Sequence, residues 1–237
     1  MTKTSAAIFD VFGTVVDWRS SVAGLIDTNF ANKGIAIAGE EIADHWRSLY
    51  VPSMAEIRSG KRTYVPLDVL HIENLDKTLS HFGISELFST DERMKMSKYW
   101  EQLSPWQDSV EGLCALKTHT IIAPCSNGSI SLMARLAKFA DLPWDSILGA
   151  EIAGNYKPDP SVYLASCEAL QLDPRHVLMV AAHNDDLHAA RKVGLQTAFV
   201  HRPTEYGPNQ TKDLEPNGNW DLVLDSLADP KLVAHFS

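Results

Sequence analysis

Cysteine is scarce in this sequence of 237 residues, and so are long apolar runs and basic clusters. Only Cys114, Cys125 and Cys167 occur, an odd and widely spaced set without a CxxC pair. That argues against a disulfide framework and against a cysteine zinc site. No apolar run reaches the ~20 residues that cross a bilayer. The opening residues MTKTSAAIFD pass straight into an apolar run and lack a signal-peptide core. A reducing cytoplasm is the expected setting. Lys and Arg number 21 against 30 Asp and Glu, a formal charge of −9. Nucleic acid and anionic membrane are therefore poor partners, and an anionic substrate needs local positive groups. There is no internal repeat and no low-complexity segment.

Hydrophobic residues make up 45% of the chain, enough for one sizeable core and a smaller second unit. Short apolar runs lie at AAIFD (6–10), HTIIAPCSN (119–127), HVLMVAAH (176–183) and TAFVHR (197–202). Runs of this length suit strands buried on both faces. Helical patterns fall at 129–139, 160–170 and 186–193, with Gly194 where a helix C-terminal glycine belongs. This alternation implies an α/β fold with a Rossmann-like parallel sheet. From about Ser20 to Ser104 no buried-strand run occurs. That stretch reads as helices near 20–32, 40–59, 66–82 and 90–102, with Pro52 opposing one straight helix over 40–59. The expected organisation is a core of residues 1–16 and 105–237, with a helical cap domain of 17–104 inserted after the first strand.

The stretch IFDVFGTVVDW (8–18) places Asp10 at the end of an apolar run, beside Phe12 and a Gly13-Thr14 turn. Asp10 is either a turn cap or a nucleophile. In open parallel sheets, ligands bind beyond the carboxyl ends of the strands. There the second run delivers Ser126-Asn127 and the third His183-Asn184-Asp185-Asp186, with Lys157 in between. A carboxylate, a hydroxyl, an ammonium and a second carboxylate on one rim favour the chemical role for Asp10.

FDVFGT (9–14), CSNGS (125–129), YKPDPSVY (156–163) and HNDDL (183–187) together resemble, in order and spacing, the four motifs of the haloacid dehalogenase superfamily. Membership alone does not fix the reaction. The superfamily's phosphatases carry Asp-x-Asp, the second Asp serving as general acid; here that position is Phe12. They also hold magnesium with an acidic pair near the third run, and here His183 stands in the place of its first acid. Halide leaves as a stable anion and needs no general acid. HWRSL (45–49), LSPWQDSVEGLCALK (103–117) and Tyr163 resemble the type II (S)-2-haloacid dehalogenases. The resemblance implies hydrolysis of short 2-haloacids without metal or organic cofactor, and a possible homodimer. The rivals are a magnesium-dependent phosphatase of the same fold and a catalytically silent binding protein.

The resemblance also assigns roles. Asp10 is the nucleophile, oriented by Thr14 and helped by the amides of residues 11–13. Arg47, ranked above Arg58, Lys61 and Arg62, receives the halide or clamps the substrate carboxylate. Ser126 and the amides after it suit that carboxylate, and Asn127 faces the halide. Lys157 keeps Asp10 ionised, and Tyr163 braces Lys157 or Asp10. Asp186 orients Lys157 or activates water, while Asp185 is a helix N-terminal charge. Typical type II enzymes have a hydroxyl residue and an Asn where this chain has Ala181 and His183. His183 is therefore a water-activating base, a hydrogen-bond donor or a packed histidine.

Overall fold

The structure is a computed structural model and describes residues 3–236. Strand β1 (Ala6–Phe9) is followed by a turn and a two-residue strand, β2 (Val16–Asp17). Helices come next: α1 (Trp18–Ala31), α2 (Gly39–Ser48), α3 (Tyr50–Arg58), α4 (Leu67–His81) and α5 (Thr90–Met96). Strand β3 (Ser104–Pro105) pairs antiparallel with β2, so this helical stretch leaves and re-enters the sheet layer at one point. Then follow α6 (Ser109–Lys117), β4 (Ile121–Ser126), α7 (Ile130–Phe139), β5 (Leu148–Gly149), α8 (Ala150–Ala153) and α9 (Pro160–Ala169). The chain ends with β6 (Val177–Ala181), α10 (Asn184–Lys192), β7 (Gln196–Val200), β8 (Leu222–Leu224) and α11 (Pro230–Ala234).

The main sheet runs β5-β4-β1-β6-β7-β8, and every neighbouring pair in it is parallel. Central β1 is bonded to β4 on one side and β6 on the other. Ala7 and Phe9 join Leu113, Ile122 and Leu178 in one core, while Ile8 joins Ala123, Tyr163 and Met179 in the other. That alternation is the two-residue period of a strand. Helices on both faces explain why the sequence runs are continuously apolar. Burying an Ile or Phe side chain contributes about 1.5–3 kcal/mol, and all of β1 is fully buried. The strand that ends at Asp10 is thus held rigidly from both sides.

The strands at all four apolar runs form as expected. The pattern at 40–59 resolves into α2 and α3, broken at Leu49. Pro52 falls in the first turn of α3, where its missing N–H loses no intrahelical bond. The pattern at 90–102 is α-helical only to Met96, starting from a Ser89–Glu92 capping box, and tightens to a 3-10 helix over Ser97–Glu101. Within the helical stretch, Trp18 stacks on Trp100 with ring centroids 6.0 Å apart, and Trp46 meets Trp100 edge-on at 5.6 Å. Phe12 also meets Trp100 edge-on, at 5.8 Å. The turn after β1 is thereby packed against the helices.

Candidate active site

The backbone after β1 closes tightly. The Asp10 N–H donates to Val180 O of β6 at 3.0 Å, extending the ladder past the strand. The Val15 and Val16 amides both donate to Val11 O, at 2.9 and 3.1 Å, and Gly13 N–H donates to Val16 O at 2.9 Å. Gly13 has φ +90°, and a Cβ there would lie 2.1 Å from Glu205 Oε1. Both the left-handed backbone and the close carboxylate require glycine. The expected donor row of residues 11–13 needs correction: Gly13 spends its amide within the turn, leaving the Val11 and Phe12 amides free of internal acceptors.

Around Asp10 every charge has a partner. Thr14 Oγ1 donates to Asp10 Oδ2 at 2.7 Å and accepts the Ala182 N–H at 2.9 Å, coupling the turn after β1 to the end of β6. Lys157 Nζ donates to Asp10 Oδ1 at 2.8 Å and to Asp186 Oδ2 at 2.5 Å. Tyr163, on α9, donates its hydroxyl to Asp186 Oδ1 at 2.5 Å, so it braces Asp186 rather than Lys157 or Asp10. His183 Nδ1 is 3.2 Å from Asp10 Oδ2, and its Nε2 is 2.8 Å from Glu205 Oε2. Glu205 also accepts the Trp18 Nε1–H at 3.0 Å.

These pairings set the charge states. Burial alone would raise the Asp10 carboxyl, but Lys157 and His183 outweigh it and hold the group below the usual carboxylate range. Burial disfavours the Lys157 ammonium, yet Asp10 and Asp186 raise its pKa above the ordinary value. Burial pushes the Asp186 carboxyl up against the pull of Lys157. Burial also opposes a charged His183 ring, but Glu205 and Asp10 raise it well above its usual value. The charged form of His183 is thus favoured by its two neighbours: Nε2 is hydrogen-bonded to Glu205, and Nδ1 lies 3.2 Å from Asp10 Oδ2.

The other expected residues divide. Asn127 Oδ1 accepts the Lys157 N–H at 2.8 Å, which turns its amide nitrogen toward the cavity it lines. Ser126 does not reach the cavity: it is fully buried at the end of β4, and its hydroxyl accepts the Gly128 N–H at 3.0 Å. Asn184 is a tether, donating to Asp213 Oδ1 at 2.8 Å and accepting from Trp220 Nε1 at 3.1 Å. Asp185 is exposed in the first turn of α10, as a helix N-terminal charge should be. Arg58 reaches the cavity and donates to Lys157 O at 3.1 Å, whereas Arg62 is engaged by Glu73 at 2.7 Å.

The cavity has a volume of about 370 Å³ and lies between the sheet rim and α2–α3, with Arg47, Tyr50 and Met54 opposite Asp10 and Lys157. The Arg47 guanidinium lies 4.0 Å over the Tyr50 ring and 5.3 Å from the Trp18 ring. Its buried Nη1 has no hydrogen-bond partner. Behind Phe12, His71 stacks on Trp100 at 4.6 Å; both His71 ring nitrogens and Trp100 Nε1 are likewise buried without partners. Burial and the nearby Arg47 lower the His71 pKa to about 3. Glu205, His71 and Trp100 are the residues the sequence reading missed. Glu205 had one available signal, since it follows the carboxyl end of the fourth apolar run.

A magnesium ion does not fit this donor set. Asp10 and Asp186, the carboxylates that would hold it, each give an oxygen to Lys157. The other Asp10 oxygen faces Thr14 and the His183 ring, and the other Asp186 oxygen takes the Tyr163 hydroxyl.

The family model for haloacid dehalogenase-like hydrolases matches residues 4–194. The (S)-2-haloacid dehalogenase 4A of Burkholderia cepacia is 30% identical over 207 residues, 85% of this chain and 86% of that protein. The crystal structure of the defluorinating L-2-haloacid dehalogenase Rha0230 is 45% identical, with a TM-score of 0.95 over 98% of this chain and 95% of that one. That of the L-2-haloacid dehalogenase PA0810 is 42% identical, with a TM-score of 0.94 over 98% of this chain and 99% of that one. The matched segment contains Asp10, Lys157, His183 and Asp186, gathered beyond the strand ends of one parallel sheet, and the chain belongs to the haloacid dehalogenase-like hydrolases, in their (S)-2-haloacid dehalogenase branch.

Proposed function

We propose that this protein hydrolyses short 2-haloacids to 2-hydroxy acids through an ester on Asp10. The observation that carries the proposal is the setting of Asp10. It is a carboxylate held anionic by Lys157 and His183, with Phe12 where a phosphatase would need its acid. Such a group is a nucleophile rather than a base. It attacks the carbon bearing the halogen from the face opposite the halogen, so configuration inverts and halide departs with the bonding pair. Water then opens the ester at its acyl carbon. The Val11 and Phe12 amides suit the oxyanion of that step.

Arg47 receives the halide with the Nη1 that has no internal partner. Asn127 lines the cavity and offers its side chain to the substrate, while the Gly128, Ile130 and Leu132 amides are taken by Ser126, Glu151 and Ser129, so Ser126 serves only to shape that turn. Lys157 ties Asp10 to Asp186, and Tyr163 fixes Asp186 in turn. Residues 17–104 act as the cap domain, because α2 and α3 close the cavity over the sheet rim. The similarity to a defluorinating enzyme supports extending the halogen range to fluoride. The three thiols are all free, which fits a reducing cytoplasm.

The test is halide release from fluoro-, chloro- and bromoacetate and both 2-chloropropionate enantiomers, with and without chelator, beside phosphate esters with magnesium. Halide release that survives chelator, from one enantiomer only, is the expected result. Phosphate release with no halide release would return the phosphatase reading. A single turnover in heavy-oxygen water with enzyme in excess then follows the oxygen. Unlabelled product and label in the Asp10 peptide are expected; labelled product with unlabelled Asp10 would reject the ester.

A further inference from the structure

We infer that His183 and Glu205 form a base dyad for the second half of the reaction, His183 taking the proton of the water that opens the Asp10 ester and Glu205 acting as its positioning residue. The inference rests on the ester route proposed above. Water must approach the acyl carbon of Asp10 with a proton acceptor beside it. Asp186 is the obvious carboxylate, but both its oxygens are engaged, one by Lys157 Nζ at 2.5 Å and one by the Tyr163 hydroxyl at 2.5 Å. Two titratable atoms lie next to the ester: Lys157 Nζ, 2.8 Å from Asp10 Oδ1 and bonded to Asp186 as well, and His183 Nδ1, 3.2 Å from Asp10 Oδ2. Its other nitrogen is locked on Glu205 at 2.8 Å, and Glu205 is only 1% exposed. Glu205 is itself fixed by Trp18 Nε1 and by its seat against Gly13.

The chemistry balances with His183 entering the cycle in the charged form that Glu205 and Asp10, at 2.8 and 3.2 Å, favour. A haloacid and water yield a hydroxy acid, a halide and one proton. When Asp10 attacks, its oxygen forms the new bond to carbon, and the halide leaves with the old pair. Asp10 becomes a neutral ester, and His183 loses one of the two anions that hold its charge. Its Nδ1 proton departs to solvent through the cavity, while Nε2–H stays on Glu205. Water then adds to the acyl carbon and gives a proton to neutral Nδ1. The acyl C–O bond breaks, the second water proton goes to the product hydroxyl, and Asp10 returns to carboxylate under a recharged His183. Among the other charges lining the cavity, Arg47, Arg58, Lys157 and Lys212 favour proton loss from His183. Asp185, Asp186 and Asp213 oppose it. The group whose charge changes during turnover is Asp10, and it is the one in contact with Nδ1.

The first measurement uses the unaltered protein and so is independent of any folding defect. In a single turnover of 2-chloropropionate with enzyme in excess, a pH-indicator dye should report the proton together with chloride and before hydroxy acid appears. A proton appearing only with the hydroxy acid overturns the inference. The second uses Glu205→Gln and His183→Gln. Each should release one chloride per site in a burst and then accumulate the ester, seen as an intact-mass gain of substrate minus halide. Steady turnover should fall about 100-fold or more, the range for a lost general base. In Glu205→Gln, the acid limb of the remaining deacylation should move to lower pH, which a purely structural role would not produce. Loss of the burst in both variants, or deacylation at the unaltered rate, also overturns the dyad. Absence of halide release by the unaltered protein is a separate result, and it removes the haloacid reading itself.

Discussion

The two walls of the cavity treat their polar groups in opposite ways. On the sheet rim, Asp10, Lys157, Asp186, His183 and Glu205 form a chain in which every charge is bonded to its opposite. On the helical side, Arg47 Nη1 at the cavity and, behind Phe12, both His71 nitrogens and Trp100 Nε1 are buried without partners. A buried unsatisfied donor costs about 1–3 kcal/mol, so the helical wall carries a standing cost that the rim does not. The rim is organised before substrate arrives, with the proposed nucleophile Asp10 already set beside Lys157 and His183. The helical wall is organised for something that arrives, and unpaired donors around a guanidinium suit an anion. On the proposed mechanism, nucleophile positioning and anion reception are thus divided between two layers of the fold.

The largest effect should come from breaking the rim. Lys157→Met removes the cation shared by Asp10 and Asp186 and leaves two buried carboxylates facing each other. Removing one partner of a buried ion pair costs about 3–5 kcal/mol, which for a chain of this size lowers Tm by roughly 10 °C. Halide release should fall at least ~1000-fold, since Asp10 loses the group that keeps it anionic. A variant with unchanged Tm and turnover would show that the bonded rim is not what holds or activates Asp10.

Breaking the helical wall should separate activity from stability. Arg47→Lys keeps the charge and loses the planar fork lying over Tyr50. Turnover should fall about 100-fold while Tm moves by only a degree or so, because no internal ion pair is lost. Bromide should raise the Tm of the unaltered protein through binding to the folded state, and this gain should vanish in the variant. Equal bromide stabilisation in both proteins would place the anion elsewhere.

The same contrast explains what was legible in the sequence. Asp10, Lys157 and Asp186 stand at or between the ends of apolar runs, and a parallel sheet brings such ends to one rim. Arg47 was readable only through resemblance, since an arginine on an amphipathic helix has an ordinary solvated alternative. His71 and Trp100 fall on the apolar faces of helices, where they look like packing; their lack of partners exists only in three dimensions. Glu205 lies in the irregular segment after β7, where no period marks it. Ser126 has the right chemistry for a substrate carboxylate, but the last residue of β4 is turned inward. Sequence showed where functional groups gather, while packing decided which of them face the cavity.

A smaller effect should follow at the joint between nucleophile turn and sheet. Thr14→Val keeps the shape but removes the hydroxyl that donates to Asp10 and accepts from Ala182. Losing a bond to a charged group and orphaning an amide costs about 1–3 kcal/mol. Halide release should fall roughly tenfold through misorientation of Asp10, and Thr14→Ser should recover most of it. Failure of serine to recover activity would mean that the methyl group, not the hydroxyl, is what positions the turn.

The smallest expected effect concerns His71 and acid. Its folded-state pKa is lowered from 6.5 to about 3, chiefly by burial and then by Arg47. Between those values the unfolded chain binds a proton that the folded protein refuses. Stability therefore rises with pH across that window and is lost as pH falls from about 6.5 toward about 3. The slope from this one group is at most about 1.4 kcal/mol per pH unit. His71→Phe retains an aromatic ring against Trp46 and Trp100 and removes the two unpaired nitrogens. Urea unfolding at pH 7.5 and pH 5 should show the unaltered protein losing about 2 kcal/mol more than the variant. Parallel losses would mean that His71 accepts its proton in the folded state. Such a histidine needs an anion beside it, so the measurement is repeated with and without added bromide. If bromide alone flattens the pH dependence of the unaltered protein and leaves His71→Phe unmoved, His71 belongs to the anion-receiving wall with Arg47.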